Sequence, residues 1–501
     1  MTLWLILFTA YGACVGSFLN VVIYRIPAGR NIVSPPSACP ECNHVLAWHD
    51  NVPVLGWIWL LGRCRYCRAS ISIQYPIIEA VTASMFGGLY VLYFHTDLRP
   101  EFVGLAADWP VLLVHLVLLA SLIAASMIDA ELYIIPLAIP RVLTVVGVVG
   151  LPLARLVSDA TGAPSVNGWP VGAAAGGAAG LVVANALLGL GGIPRSFDEP
   201  LGDGSEADGA DSDPNPDPDS DQAMDQPDDT GDTGDAGDTG DTDPPAEHDD
   251  EPPWRPWRAF GRELAFAGGL ILIGVLIHIT TGGTAPDRPD PAPRRLYDWR
   301  PIVTWLAAFW LACLLISIVW SAVASRRAAR ASAEAEPEDA HEHLDDWLDH
   351  PNPRGEILKE ILFVAFPVLG AAAGAWLMRS APALSPPWAV LAGAVFGYLV
   401  GGAVVWVTRI AGTLGFGKEA MGLGDVHLLA AIGAVMGWLD SIVIFFVAPF
   451  FGLLGAALLA ALGRLLSGRA RVIPYGPYLA IAAVVVLAFG GERLLARFGM
   501  L

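Results

Sequence analysis

The chain has 501 residues, of which 54% are hydrophobic and only 16% are charged. Soluble domains carry charge on about a quarter of their residues, so this composition excludes an ordinary soluble enzyme. The formal net charge is −20, but 22 acidic residues lie between Arg195 and Arg255 and the remainder is nearly neutral. The sequence has no dense basic stretch, which argues against nucleic-acid binding. The sequence therefore predicts an all-α polytopic membrane protein with one long acidic insert.

Apolar runs approaching the 20 or so residues that a membrane-spanning helix needs recur along the chain. The first lacks a basic start and a small-residue cleavage site, so we read it as an uncleaved span. The segment at 426–439 is short for a full crossing. The twelve predicted segments are 3–24, 75–95, 110–128, 134–157, 169–193, 260–280, 302–325, 357–378, 387–410, 426–439, 441–463 and 476–496.

Arginines predict the orientation of these spans. The loop after the first span contains Arg25, Arg30, Arg63, Arg65 and Arg68, and loops rich in Lys and Arg stay in the cytoplasm. Alternation from that loop places the acidic segment in the cytoplasm too. That segment, about 196–253, consists of repeats such as TGDTGDAGDTGDTD with almost no apolar residues, a composition typical of disorder.

Four cysteines form two C-x-x-C pairs in the loop after the first span. They are Cys39 and Cys42, then, after 21 residues, Cys64 and Cys67. Two such pairs at this separation suit a tetrahedral zinc ion with four thiolate ligands. Four thiolates fill the coordination shell, so the zinc should be structural. The alternative is four free thiols or a redox pair.

Two aspartates lie at the edges of predicted spans, where acids are costly and usually functional. Asp129 lies in SMIDAELYIIP and Asp425 in MGLGDVHLL, and the predicted topology places both on the cytoplasmic side. Two carboxylates in one site share a proton, and such a pair can activate water for peptide hydrolysis. The glycines at 422 and 424 would let the backbone approach a turn or a substrate closely. Alternatively, Asp425 is a helix N-cap and Asp129 marks a membrane boundary.

Six motifs, in order, resemble those of the bacterial prepilin peptidases, membrane aspartic proteases of the G-x-G-D type. The resemblance covers most of residues 1–157 and 387–500. The motifs are GACVGSFLNVVIYRIP from Gly12, CPEC, LAWHDNVPVLGWIWLLGRCRYCRASISIQYPIIE ending at Glu79, DAELYIIP from Asp129, MGLGDVHLLAAIGAVMGW from Met421 and IPYGPYLA from Ile473.

The resemblance implies a helical G-x-G-D aspartic protease bundle with Asp129 and Asp425 as catalytic pair. Gly422, Gly424, His427 and Pro136 would support the motifs or the substrate. The cysteine loop would belong to a cytoplasmic domain that N-methylates the new terminus with S-adenosylmethionine. Expected substrates are type IV prepilins or type II secretion pseudopilins, cleaved at the cytoplasmic face of the bacterial inner membrane. Pilus or secretion assembly proteins are further expected partners.

Two features depart from the family pattern. His427 stands where the G-x-G-D motif usually continues to a lysine, which replaces a fixed charge with a titratable one. The two aspartate motifs are also unusually far apart, which indicates an insertion at 158–386 with extra spans. The predicted domains are therefore the first helix (1–24), the zinc loop (25–73), an N-terminal segment of the peptidase core (74–157), the insertion (158–386) and a C-terminal segment of the peptidase core (387–501).

The leading hypothesis is a leader peptidase that also methylates. A peptidase with an inactive methyltransferase half remains open, because no glycine-rich loop for S-adenosylmethionine is visible. A proton-coupled transporter would explain many spans and buried acids, but neither the zinc loop nor two acids at one interface. A catalytically dead scaffold is the last alternative.

Overall fold

The structure, a computed structural model, describes residues 2–196, 353–466 and 474–499, except positions 48, 159–161, 195, 381, 418 and 498. These residues are nearly all helical, with two isolated β-bridges. The helices are α1 (Thr2–Arg25), α2 (Leu55–Trp59), α3 (Gln74–His95), α4 (Leu105–Leu132), α5 (Ala138–Val145), a π-helical turn (Val146–Gly150), α6 (Leu151–Val157), α7 (Trp169–Gly189), α8 (Pro353–Leu377), α9 (Pro386–Phe416), α10 (Leu423–Met436), α11 (Trp438–Leu466), α12 (Gly476–Phe489) and α13 (Gly491–Arg497).

Eight helical segments in the described part of the chain are long and apolar enough to cross a membrane, and α12 with α13 would make a ninth. This confirms the predicted all-α polytopic architecture. The segment predicted at 134–157 is α5, the π-helical turn and α6 in one span. The predicted spans 260–280 and 302–325 lie outside the described residues, as does nearly all of the acidic segment 196–253.

Helix α4 lies near the centre of the main core, because its apolar residues pack against helices on several sides. It contacts α1 and α3 from the first half of the chain and α10 and α12 from the second. Side chains such as Leu112, Leu118 and Ile128 are fully buried there. The two halves of the chain therefore share one hydrophobic core.

Polar contacts show which helix ends lie together. Gln74 at the start of α3 donates to Glu131 at the end of α4, and the Gly476 N–H at the start of α12 donates to Asp129. At the other end, Arg99 donates to the Leu487 carbonyl near the end of α12. The end of α4 that holds Asp129 therefore lies at the same end of the bundle as the junction of the cysteine loop with α3.

The short helix α10 packs directly against α9 through glycine. A Cβ atom on Gly397 would lie 2.0 Å from the Gly433 carbonyl oxygen, so neither position has room for a side chain. Similar close contacts join α7 to α8, where a Cβ on Gly172 would meet the Gly374 carbonyl at 2.0 Å. Small residues that bring backbones together are typical of helix packing in membranes.

Candidate functional site

The two C-x-x-C pairs fold into two turns of the same geometry. In the first, the Cys39 N–H donates to the His44 carbonyl and the Asn43 N–H to the Cys39 carbonyl; in the second, Cys64 pairs with Ala69 and Arg68 in the same way. Asn43 and Arg68 occupy equivalent positions with φ of 52° and 63°. The repeated sequence pattern therefore produces a repeated turn, and each turn presents two sulfurs to the other.

The four sulfurs of Cys39, Cys42, Cys64 and Cys67 all lie within 4.8 Å of one another. The Cys39 and Cys67 sulfurs are 3.7 Å apart. Four sulfurs at about 2.3 Å from a tetrahedral zinc lie about 3.8 Å apart, so the cluster fits this ion. The four predicted cysteines therefore come together in one cluster that could hold a metal ion.

Backbone geometry also favours a thiolate in this cluster. The N–H groups of Cys67 and Tyr66 lower the pKa of the Cys64 thiol to about 7. The Ala69 N–H favours the Cys67 thiolate, but desolvation and the neighbouring thiols outweigh it and raise that pKa to about 12. One thiolate therefore forms readily, whereas a cation is needed to stabilise four.

The cysteine loop is fastened to the helices by buried polar groups. Glu79 of α3 is 8% exposed, and its carboxylate accepts the Val54 N–H at 2.6 Å. Asn20 of α1 donates to the Tyr75 carbonyl at 3.2 Å. A buried carboxylate near the end of a span is tolerated when such a donor satisfies it. The Glu79 bond fixes the loop against α3, and the Asn20 bond joins α1 to the start of α3.

Asp129 lies in the last turn of α4 and is buried, with 6% exposure. Its Oδ2 accepts the Gly476 N–H at 2.8 Å. Helix α4 ends just beyond it at Tyr133, which has φ of 57° and donates its N–H to the Asp129 carbonyl. Asp129 is thus held inside the bundle between α4 and the start of α12. This environment does not fit the alternative hypothesis that Asp129 only marks a membrane boundary.

Asp425 is the third residue of α10, and its carboxylate interacts electrostatically with that of Asp129. The alternative reading of Asp425 as a helix N-cap is wrong, because the N-cap is Gly422 and it makes no side-chain capping bond. The structure therefore brings the two aspartates together, although 296 positions separate them in the sequence. The first turn of a helix also favours negative charge.

Two adjacent residues of the IPYGPYLA motif contact this pair. Tyr475 interacts electrostatically with Asp425, and its hydroxyl donates to the Phe445 carbonyl at 3.4 Å. Gly476 is buried against Asp129, so that a Cβ atom there would lie 2.7 Å from Oδ2. The motif was evident in the sequence, but neither residue had a predicted role.

The other predicted site residues lie around the aspartates. Gly424 packs against Ile135 of the DAELYIIP motif, and a Cβ on Gly424 would come within 2.9 Å of the Ile135 Cβ. Pro136 is half-buried, and its carbonyl accepts the Ile139 N–H near the start of α5. His427 is half-buried and interacts electrostatically with Arg141 of α5.

A buried ion pair near Asp425 was not predicted from the sequence. Arg409 of α9 is fully buried and pairs with Glu360 of α8, which is 3% exposed. Arg409 lies within a long apolar run, where a charged residue is itself a signal of function, whereas Glu360 directly follows Lys359 near the start of α8. Glu360 lies within the segment 158–386 that was predicted to be an insertion.

Comparison with known proteins gives two family matches. Residues 10–93 match the Bacterial Peptidase A24 N-terminal domain, and residues 356–457 match the Type IV leader peptidase family. Two separate parts of the chain are thus similar to these two family domains. The first match contains the four cysteines and the second contains Asp425 and Glu360, whereas Asp129 lies between the two.

Individual relatives carry the same family name. A prepilin leader peptidase/N-methyltransferase of Myxococcus xanthus is 44% identical over 128 residues, which is 25% of this chain and 34% of the relative. Proteins with the same name are 34% identical in Pectobacterium carotovorum and 39% identical in Klebsiella pneumoniae. These alignments cover 25% of this chain and 48% and 52% of the relatives. The chain thus spans about a third to a half of the length of these relatives. No solved structure matches it.

Proposed function

We propose that this protein is a membrane aspartic endopeptidase that removes the leader of type IV prepilins or type II secretion pseudopilins. The observation that carries the proposal is the convergence of Asp129 and Asp425 at one end of the bundle, with Tyr475 and Gly476 against them. Family similarity supports it, since the relatives are named prepilin leader peptidases. A proton-coupled transporter would place its acids near the bilayer midplane.

The geometry supports a two-carboxylate hydrolysis. Asp129 and Asp425 share one proton and hold a water molecule between them. The ionised carboxylate takes a proton from the water as its oxygen attacks the scissile carbonyl carbon. The protonated carboxyl donates its proton to the carbonyl oxygen, which gives a tetrahedral intermediate. The carboxyl that took the water proton then passes it to the amine nitrogen, and the C–N bond breaks as the other carboxylate regains its proton and the carbonyl re-forms. The Gly476 N–H fixes the orientation of Asp129 during these steps.

We propose a structural zinc in the cysteine cluster, because its sulfur spacing fits a closed tetrahedral site. Zinc would hold the two turns of the loop together, with no part in hydrolysis. S-adenosylmethionine, when bound, would supply a methyl group for the new N-terminus, as the relatives' name N-methyltransferase suggests. The loop lies at the same end of the bundle as the aspartates, which suits successive cleavage and methylation. A peptidase without methylation is the second candidate.

We also propose the orientation and domains predicted from the sequence. The protein would lie in the bacterial inner membrane, with the zinc loop, the acidic segment and the aspartates on the cytoplasmic side. Pilus or secretion assembly proteins are proposed further partners. The first helix, the zinc loop and the two segments of the peptidase core keep their predicted bounds, but α8 joins the core. The similarity beginning at residue 356 and the Arg409–Glu360 pair support that change.

The test is cleavage of a co-expressed prepilin by the wild type, Asp129→Asn and Asp425→Asn, with mass spectrometry of the mature N-terminus. We expect both variants to lose cleavage while they remain folded in the membrane. Asp440→Asn is the matched control. Asp440 is another acid in the first turn of a helix, α11, where it accepts the Gly491 N–H at 3.0 Å, so its variant should cleave normally.

The outcomes separate the alternatives. Normal cleavage by either catalytic variant would refute the assignment of the pair. A one-methyl mass shift on the wild-type product would establish methylation, and its absence would favour a peptidase alone. A wild type that cleaves no prepilin or pseudopilin would favour a scaffold.

A further inference from the structure

Arg409 makes an unusually complete set of contacts for a charged residue inside a span. Its Nε donates to both carboxylate oxygens of Glu360 at 3.1 Å, and its Nη2 donates to Oε1 at 2.9 Å. Trp406, one turn earlier on α9, donates its Nε1–H to Glu360 Oε2 at 2.8 Å. Both carboxylate oxygens of Glu360 thus accept hydrogen bonds from α9, and this pairing fixes the orientation of the Arg409 guanidinium plane.

The remaining terminal nitrogen of Arg409 reaches the loop that leads to Asp425. We call residues 419–422 the pre-Asp425 loop. Nη1 donates to the Glu419 carboxylate and to the Met421 carbonyl. Thr413, one helical turn after Arg409, accepts the Ala420 N–H on its hydroxyl at 3.2 Å. Two side chains on one face of α9 therefore hold three successive loop residues.

Stability alone is a weak explanation for this arrangement. Desolvating an arginine and a glutamate costs several kcal/mol per ion, and well-packed apolar residues often stabilise a fold as well or better. A buried ion pair is better explained where it fixes one conformation. Here the start of α10 has weak local bonds, because its N-cap Gly422 has no side chain and the Asp425 N–H contacts the Gly422 carbonyl at a long 3.3 Å. The Gly422 N–H in turn interacts with the Asp425 carboxylate, so the position of the loop bears directly on that group.

We infer that Arg409, oriented by Glu360, is a positioning residue that fixes the pre-Asp425 loop and thereby sets the place of the Asp425 carboxylate opposite Asp129. The inference rests on the proposed peptidase function. The inference makes α8, which supplies Glu360, part of the peptidase core. Arg409 acts only through the loop and touches neither the water nor the substrate.

The experiment compares Arg409→Gln, Arg409→Lys and Glu360→Gln in the full chain. We expect Arg409→Gln to lower kcat at least tenfold while KM stays within about twofold, since the leader would still bind beside a displaced carboxylate. Lysine should rescue part of kcat, because it keeps the charge but not the fork geometry. Glu360→Gln should fall between them.

The matched control is Glu101→Gln, which removes a second partly buried ion pair at the opposite end of the bundle. Glu101 pairs with Arg99 and with Arg493, away from both aspartates. This variant should lower the melting temperature without changing kcat. The contrast separates loss of general stability from loss of positioning.

A second readout does not depend on cleavage. Hydrogen exchange of the peptide that spans residues 419–422, followed by mass spectrometry, reports how often the pre-Asp425 loop opens, because the Ala420 N–H is held by the Thr413 hydroxyl. We expect Arg409→Gln to accelerate that exchange several-fold and Glu101→Gln to leave it unchanged. If the wild type cleaved nothing, the proposed function would fail, but this rate would still test the inference.

Two results would overturn the inference. One is a folded Arg409→Gln variant with kcat within twofold of the wild type and an unchanged rate of hydrogen exchange in the pre-Asp425 loop. The other is a parallel loss of kcat, substrate binding and melting temperature that lysine does not relieve, which would make Arg409 merely structural.

Discussion

Replacing Gly476 with alanine tests the contact between the IPYGPYLA motif and Asp129. The new Cβ would lie 2.7 Å from Asp129 Oδ2 and 3.2 Å from its Cγ. Gly476 has no left-handed backbone conformation, so alanine imposes no backbone strain there. The conflict is therefore with the carboxylate, which must move, or the start of α12 must move away from α4.

The size of the effect follows from these distances. Ordinary van der Waals contact begins at 3.4 Å, so the oxygen must retreat by about 0.7 Å. Because a misplacement of about 1 Å can reduce a rate 100-fold, we expect kcat to fall by about 10- to 100-fold. A 100-fold loss corresponds to about 2.7 kcal/mol of transition-state stabilisation. Stability should change little, because glycine-to-alanine restricts the unfolded chain and offsets the local clash.

The assay is the rate of prepilin cleavage in detergent, together with the melting temperature of each variant. Gly415→Ala is the matched control, since Gly415 lies in α9 and a Cβ there has no neighbour within 4 Å. We expect the control to cleave at the wild-type rate. A Gly476→Ala variant with kcat within twofold of the wild type would show that Asp129 does not need this orientation.

Three further predictions concern the surroundings of the site. Gly424→Ala should lower kcat about tenfold, because its Cβ would press on Ile135 and separate the two aspartate motifs; unchanged kcat would contradict this packing argument. Cys39→Ser should reduce bound zinc from one ion per chain to well below half, as measured by elemental analysis, and make the loop sensitive to limited proteolysis. Full zinc occupancy in this variant would show that Cys39 is not a ligand. Glu79→Ala should leave the partly buried Val54 N–H without its acceptor and speed hydrogen exchange of that peptide about tenfold, with Glu79→Gln intermediate. Exchange at the wild-type rate would mean that another group holds the loop.

The spans and the cysteine cluster could be predicted from the sequence, because each depends on residues that are close together along the chain. Apolar runs identified the spans, and the repeated C-x-x-C spacing identified the metal cluster that the equivalent turns at Asn43 and Arg68 create. The motif resemblance pointed to Asp129 and Asp425, and the structure brings these two carboxylates together.

What escaped prediction depends on contacts between distant segments. No spacing rule relates Gly476 to Asp129, or Glu360 to Arg409, because their proximity exists only after the helices pack. The boundary of the predicted insertion at residue 386 has the same weakness, since the Glu360 contact becomes visible only in three dimensions. The N-cap reading of Asp425 failed because the helix begins two residues earlier, at Leu423.

The shortness of α10 has a consequence for where hydrolysis would take place. Its 14 residues rise about 21 Å, whereas the hydrocarbon core of a bilayer is about 30 Å thick. Gly437, just after the helix, packs against Pro164 in the connection between α6 and α7, at the end of the bundle away from Asp129. Asp425 would therefore sit several ångströms below the near headgroup layer, and the irregular backbone before it would lie at hydrocarbon depth. Backbone of that kind survives only where protein satisfies its polar groups. Water and an extended leader would therefore have to reach the carboxylates through an opening in the surface of the bilayer. Only substrates whose chain is extended next to an apolar helix could enter that opening.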